Sequence, residues 1–105
     1  MSSHPWRYSY RATLLGVEAD SLVLEADLGF RLYTKIKSKL YGIKIEDQSR
    51  FNEWALALIG KRVIITTHMH KRNKMGRVLV SMIIDGQDVN KILVEQRIAT
   101  VRIEE

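Results

Sequence analysis

KRVIITTHMHKRNKMGRVLVSMIIDGQDVNKILVEQRI, residues 61–98, decides the fold. KRVIITTHMH (61–70) and GRVLVSMIID (76–85) are rich in β-branched and apolar residues and read as two strands joined by a basic loop. Gly86 then leads into VNKILVEQRI (89–98), whose apolar residues fall at helical spacing. Asp88 stands where its carboxylate can take an orphan N–H of the first helical turn, so it is expected to be the N-cap.

Upstream, RYSYRATLLGV (7–17) and SLVLEA (21–26) are strand-like, and Asp27, Leu28 and Gly29 suggest a turn into a third run ending at Ile43. The period then changes. Phe51, Trp54, Ala55, Leu58 and Ile59 lie on one helical face between Ser49 and Ile59, with Asp47 or Ser49 able to cap the start and Gly60 suited to a left-handed stop. After the second helix, ATVRIEE alternates Val101 and Ile103 with polar neighbours and is expected to be extended. Three strands, a helix, two strands and a short helix suggest a mainly β (α+β) protein: a five-stranded OB-fold-type barrel with two short helices, the first plugging one end. Length and period alone also allow a split α+β sheet.

With 105 residues and a single proline, the whole chain (1–105) reads as one domain, residues 1–6 being expected to be flexible. No repeat or low-complexity tract interrupts it. The absence of cysteine excludes disulfides, thiolate zinc sites and thiol catalysis. No apolar run is long enough to span a bilayer and the N-terminus lacks a leader pattern, so a soluble, intracellular (cytoplasmic) protein with no membrane partner is expected. Seventeen Lys and Arg against 12 Asp and Glu give a formal charge of +5. That excess favours a polyanionic partner, although a lysine-rich solvated surface would produce the same sum.

Several short motifs keep a shared order and spacing. EADS (18–21) and KLYGI (39–43) precede Gly60, Lys61, Gly76 and Arg77, followed by Asp85, Gly86, Asp88, Val89, Asn90, Leu93, Val94 and Ala99. Over residues 7–103 this pattern resembles the staphylococcal-nuclease-like (thermonuclease) family, and the chain looks like a divergent, minimal member. The resemblance implies a barrel whose active members hold calcium between two aspartates, with a glutamate assisting the attacking water and two arginines steadying the phosphorane charge.

Carried over residue by residue, Asp20 matches the first metal aspartate and Arg77 the arginine of the Gly-Arg pair. Lys39 stands at the flanking arginine, offering a point charge in place of a two-pronged phosphate contact. Lys44 stands at the second metal aspartate, and Asp47, one methylene short, at the catalytic glutamate. An ammonium within about 4 Å of a cation costs on the order of 4 kcal/mol per unit of charge at a surface-like dielectric, so a family-type calcium site is not expected. Two escapes are a register slip that brings Glu46 into the vacant ligand place, or the Lys44 ammonium standing in for the metal charge.

Between the last two long strands, His70, Lys71, Arg72, Lys74 and Arg77 are expected to contact phosphates, the alternative being a solvated hairpin whose charges discourage edge pairing. Met75 replaces a tyrosine that active relatives carry before the Gly-Arg pair. Trp6, Tyr8 and Tyr10 share one strand face and Arg7, Ser9 and Arg11 the other; the aromatics are expected to pack and the arginines to be the better contacts. His68 and His70 share a face without a third ligand and read as surface histidines. The apolar tail residues suggest a strand-mediated homodimer.

The expectation is thus a barrel that binds single-stranded DNA or RNA through Lys39, Lys71, Arg72, Lys74 and Arg77, needs no cofactor, and has impaired or lost hydrolysis. Its rivals are an active calcium-dependent phosphodiesterase using Asp20, Asp47 or Glu46, Lys39 and Arg77, and an assembly module that keeps the barrel for protein contacts.

Overall fold

Alternation along β1 (Arg7–Glu18) buries Ala12 and Leu14 and exposes Arg11, the period-2 pattern of a strand with one face on a core. A bulge between Leu14 and Gly16 inserts one residue, so the inward phase moves from even to odd positions and Val17 also packs on the core. β2 (Ser21–Gly29) buries Leu22, Leu24 and Ala26, and β3 (Leu32–Leu40) buries Ser38 and Leu40. The structure, a computed structural model, describes residues 7–72 and 77–102, with side chains from 9 to 68 and from 77 to 102.

After β4 (Ile43–Ile45) and α1 (Gln48–Leu56), β5 (Arg62–Arg72) and β6 (Val78–Ile84) supply Val63, Ile65, Val80, Met82 and Ile84 to the core. β1 pairs antiparallel with both β2 and β5, and β5 with β6. Closure comes from β6 running parallel to β3, with Ser38 opposite Val78 and Leu40 opposite Val80. Five strands in the order β3-β2-β1-β5-β6, returning to β3, make a closed barrel of the OB type, which removes the split α+β sheet. β7 (Gln87–Asp88) and α2 (Val89–Glu95) follow, and β8 (Ala99–Val101) pairs antiparallel with β4.

Both helices feed the barrel core. Phe51 and Ala55 of α1 and Val89 and Leu93 of α2 are buried in the same cluster as Leu14, Leu22 and Leu40. Asp47 caps α1, its Oδ1 accepting from the Arg50 N–H at 3.1 Å, and Asp88 caps α2 through the Asn90 N–H at 3.0 Å. No helix among the described residues is long and apolar enough to cross a membrane.

Several boundaries differ from the sequence expectation. The third run is two strands, because Tyr41 and Gly42, at φ 87°, turn the chain before Ile43. The turn expected at residues 27–29 lies at Phe30 and Arg31, since β2 continues to Gly29. α1 ends at Leu56 and α2 at Glu95. After α1 the chain must reach β5, and the Gly60 N–H donates to the Leu14 carbonyl at 2.7 Å. Ala99–Val101 of the tail are extended as expected, and β8 pairs with β4 of its own chain. Residues 1–6 and Ile103 lie outside the described residues.

Candidate functional site

Ladder register brings the first group of residues together. Ser21 of β2 lies opposite Lys39 of β3, while Leu79 of β6 flanks Lys39 on the other side. Arg77, immediately before β6, donates from Nε to Ser21 Oγ at 3.0 Å, and the Ser21 hydroxyl group lies in a residue only 2% exposed. Lys39 Nζ lies 3.2 Å from Asp20 Oδ2. Two residues back along β3, Lys37 Nζ lies 3.2 Å from Glu18 Oε1 at the end of β1. Asp20, Ser21, Lys39 and Arg77 therefore form one cluster at the β1–β2 turn.

That turn is held from outside the barrel. Gln48, the first residue of α1, donates from Nε2 both to the Ala19 carbonyl and, at 2.8 Å, to Asn52 Oδ1. Ala19 itself has φ 52°, a left-handed conformation unusual for a residue with a side chain. Helix and turn thus fix each other, which positions the Asp20 carboxylate for Lys39.

The other sequence candidates have different partners. Lys44 is exposed on β4, with its backbone opposite Thr100. Glu46 Oε2 accepts from Thr100 Oγ1 at 3.0 Å, and Asp47 Oδ1 is taken up by the α1 cap. Among the described residues, no group of three His, Cys, Asp or Glu side chains is placed to hold a metal ion. Calcium, where the resemblance expects it, would need Asp20 released from Lys39 and further oxygens, because it takes six to eight. The described residues do not fit that ion.

Lys71 and Arg72 close β5 by their backbones, and Arg72 lies opposite Val78. Their side chains, together with His70, Lys74 and Met75, lie outside the described residues. Tyr10 packs against the core as expected, whereas Trp6 and the Tyr8 side chain are outside the described set. Arg11 is exposed on the outer face. His68 corrects the surface reading: it is 7% exposed, its ring stacks on Tyr41 at a centroid distance of 4.3 Å, and its Nε2 is 2.9 Å from Ser81 Oγ.

No family model matches this chain, and no curated protein matches it. The site therefore rests on its own geometry.

Sequence reasoning missed three features of that geometry. Ser21, only 2% exposed, gave no signal as an anchor, since its partner Arg77 arrives from 56 positions away. Asn90 Nδ2 donates to the Tyr41 carbonyl at 2.6 Å, clamping the β3–β4 turn to α2, while its Oδ1 is buried with no partner among the described residues. The third was visible in the letters YTKIKSK: Lys35 and Lys37 alternate with Lys39, so the outward face of β3 carries a lysine at every second position.

Proposed function

We propose that this barrel is staphylococcal-nuclease-like, binds single-stranded nucleic acid, and has impaired or lost phosphodiester hydrolysis. Lys39 and Arg77 contact phosphate, with Lys71, Arg72 and Lys74 of the adjoining basic segment extending the contact. The supporting observation is the ammonium of Lys39 seated 3.2 Å from the Asp20 carboxylate. It supplies positive charge at the place where the likeness assigns a divalent ion, and it uses the carboxylate that ion would need. Ser21 fixes the orientation of the Arg77 guanidinium beside it, so the cluster offers two cations ordered before any ligand arrives.

Hydrolysis would need a base as well as charge. The two acids nearest in sequence to the expected base position, Glu46 and Asp47, already hold Thr100 and the α1 N-terminus. Phosphate contacts by lysine and arginine make affinity fall steeply with salt and carry little sequence preference.

The test is fluorescence anisotropy with labelled oligothymidylate across a salt series, alongside gel analysis of the same oligonucleotide with calcium and with chelator. Salt-sensitive binding without cleavage is expected, weakened in Lys39→Ala and Arg77→Ala. Chelator-sensitive cleavage would replace this reading with the active phosphodiesterase. Absence of both binding and cleavage, with a stable dimer in sedimentation, would replace it with the assembly module.

A further inference from the structure

Two hairpin turns in this barrel have the same backbone demands and opposite fillings. Asp85 and Gly86, at φ 52° and 77°, join Ile84 to its partner Gln87 with the Asp-Gly pair that a two-residue turn of this hand prefers. Phe30 and Arg31, at φ 54° and 61°, join Gly29 to its partner Leu32 with two residues that resist a left-handed backbone. Phe30 gains no burial in return, being 97% exposed. Its neighbours Leu28, Leu32 and Tyr33 are 46%, 59% and 59% exposed, so the tip is an apolar projection held in a costly conformation. A local rule broken without a packing gain is what a binding element produces.

Cations line the outward face of β3 beyond the tip, with Asp27 opposite Tyr33 and Glu25 opposite Lys35 across the ladder. Arg31 is in the turn, and from Tyr33 the outward positions of β3 run Lys35, Lys37, Lys39. Like-facing side chains on a strand repeat about every 6 to 7 Å, and Tyr33 to Lys39 spans about 20 Å. This ladder leads directly into the Lys39–Asp20–Arg77 cluster. A row of ammonium groups ending in exposed aromatic rings matches a chain with regularly spaced negative charges and flat apolar faces.

We infer that Phe30 and Tyr33 form a base-stacking platform for single-stranded nucleic acid, whose backbone follows Lys35 and Lys37 along β3 to Lys39 and Arg77. The inference rests on the proposed function and extends it by naming where the distal bases go. Lys37 contributes by exchanging Glu18 for a phosphate, whereas Lys35 forms no ion pair among the described residues.

The discriminating variant is Phe30→Asn. Asparagine tolerates the left-handed turn, so the melting temperature should rise by a few degrees, which removes misfolding as an explanation for lost binding. Affinity for an oligothymidylate of about twelve nucleotides should fall about tenfold, while affinity for one of about three, long enough only for the Lys39 end, stays unchanged. Phe30→Tyr should keep wild-type affinity. The salt slope should hold in Phe30→Asn, because no charge is lost, and fall by about one in Lys35→Ala.

Unchanged long-oligonucleotide affinity in Phe30→Asn overturns the inference. So does retention of the wild type on anionic phospholipid vesicles that Phe30→Asn abolishes while oligonucleotide affinity is untouched; the tip is then a lipid anchor. If Lys39→Ala has no effect and Phe30→Asn still weakens binding, the phosphate cluster of the proposed function fails and the stacking tip stands. No binding of any oligonucleotide by the wild type overturns both.

Discussion

Lys39 Nζ and Asp20 Oδ2 lie 3.2 Å apart, with the lysine side chain 22% and the aspartate side chain 42% exposed. Asp20 lies in the turn that leads into β2, and the register that sets Ser21 opposite Lys39 places the ammonium next to the residue preceding Ser21. A carboxylate on a tight turn and a lysine on a barrel strand thus neutralise each other beside Arg77, whose guanidinium is fixed by Ser21. The cluster therefore keeps a net positive charge, that of Arg77, before any ligand binds.

Placing a carboxylate at position 44 tests whether the charge there decides metal binding. Calcium should raise the melting temperature of the double variant Lys39→Ala/Lys44→Asp, in which Asp20 is released, in a concentration-dependent manner and leave that of the wild type unchanged, as read by calorimetry at a fixed chloride concentration. Lys44→Asp alone, with Asp20 still paired to Lys39, should show little or no calcium effect. A wild-type protein that calcium stabilises as much as the double variant would contradict the charge argument.

Asp47 is predicted to act through the helix it caps. Asp47→Ala should cost about 1 kcal/mol by urea unfolding, whereas Asp47→Asn, which still accepts the Arg50 N–H, should retain most of that stability. Any residual cleavage should track stability across the two variants. If asparagine abolishes cleavage while preserving stability, Asp47 is a base.

Ser21→Ala removes the acceptor that orients Arg77 at 3.0 Å. Affinity for single-stranded DNA should drop about two- to tenfold, the range of one hydrogen bond's net contribution. The salt slope should be preserved because Arg77 keeps its charge. An unaltered affinity would mean that the guanidinium is positioned by its other contacts.

Asn90→Ala breaks the bond from Nδ2 to the Tyr41 carbonyl and leaves that carbonyl to find another donor. The cost should be about 1 to 3 kcal/mol. Amide exchange should accelerate at Tyr41, whose N–H donates to the Val80 carbonyl at 2.8 Å, more than at Ile65 in the barrel wall. Uniform acceleration through the molecule would show global destabilisation in place of a local clamp.

The two caps and the strand alternation could be read from the letters because each depends on neighbours within a few residues. Asp47 and Asp88 act on backbone groups two or three positions ahead, and the inward residues Leu22, Leu24 and Ala26 repeat by two. The hairpin turn was misplaced for a related reason. Gly29 is the conventional turn signal, yet the chain turns at Phe30 and Arg31, residues no turn preference would select. The run toward Ile43 is divided at Tyr41 and Gly42, a turn that Asn90 holds from 49 positions away.

His68 shows the same limit in side-chain burial. A histidine on a polar-looking strand end gives no indication that Tyr41 will stack against it and Ser81 will meet its Nε2.

By itself, the sequence determined the order of the main strands and helices and how the helices begin, and its letters hold the alternation of lysines along β3, since these follow from backbone periodicity and short-range hydrogen bonding. Only the tertiary structure decided that β6 closes against β3, that Lys39 meets Asp20, and that Arg77 settles on Ser21. Those contacts depend on how separate strands are shifted and curved against one another, and a charge or hydroxyl encodes no information about which distant strand will arrive beside it.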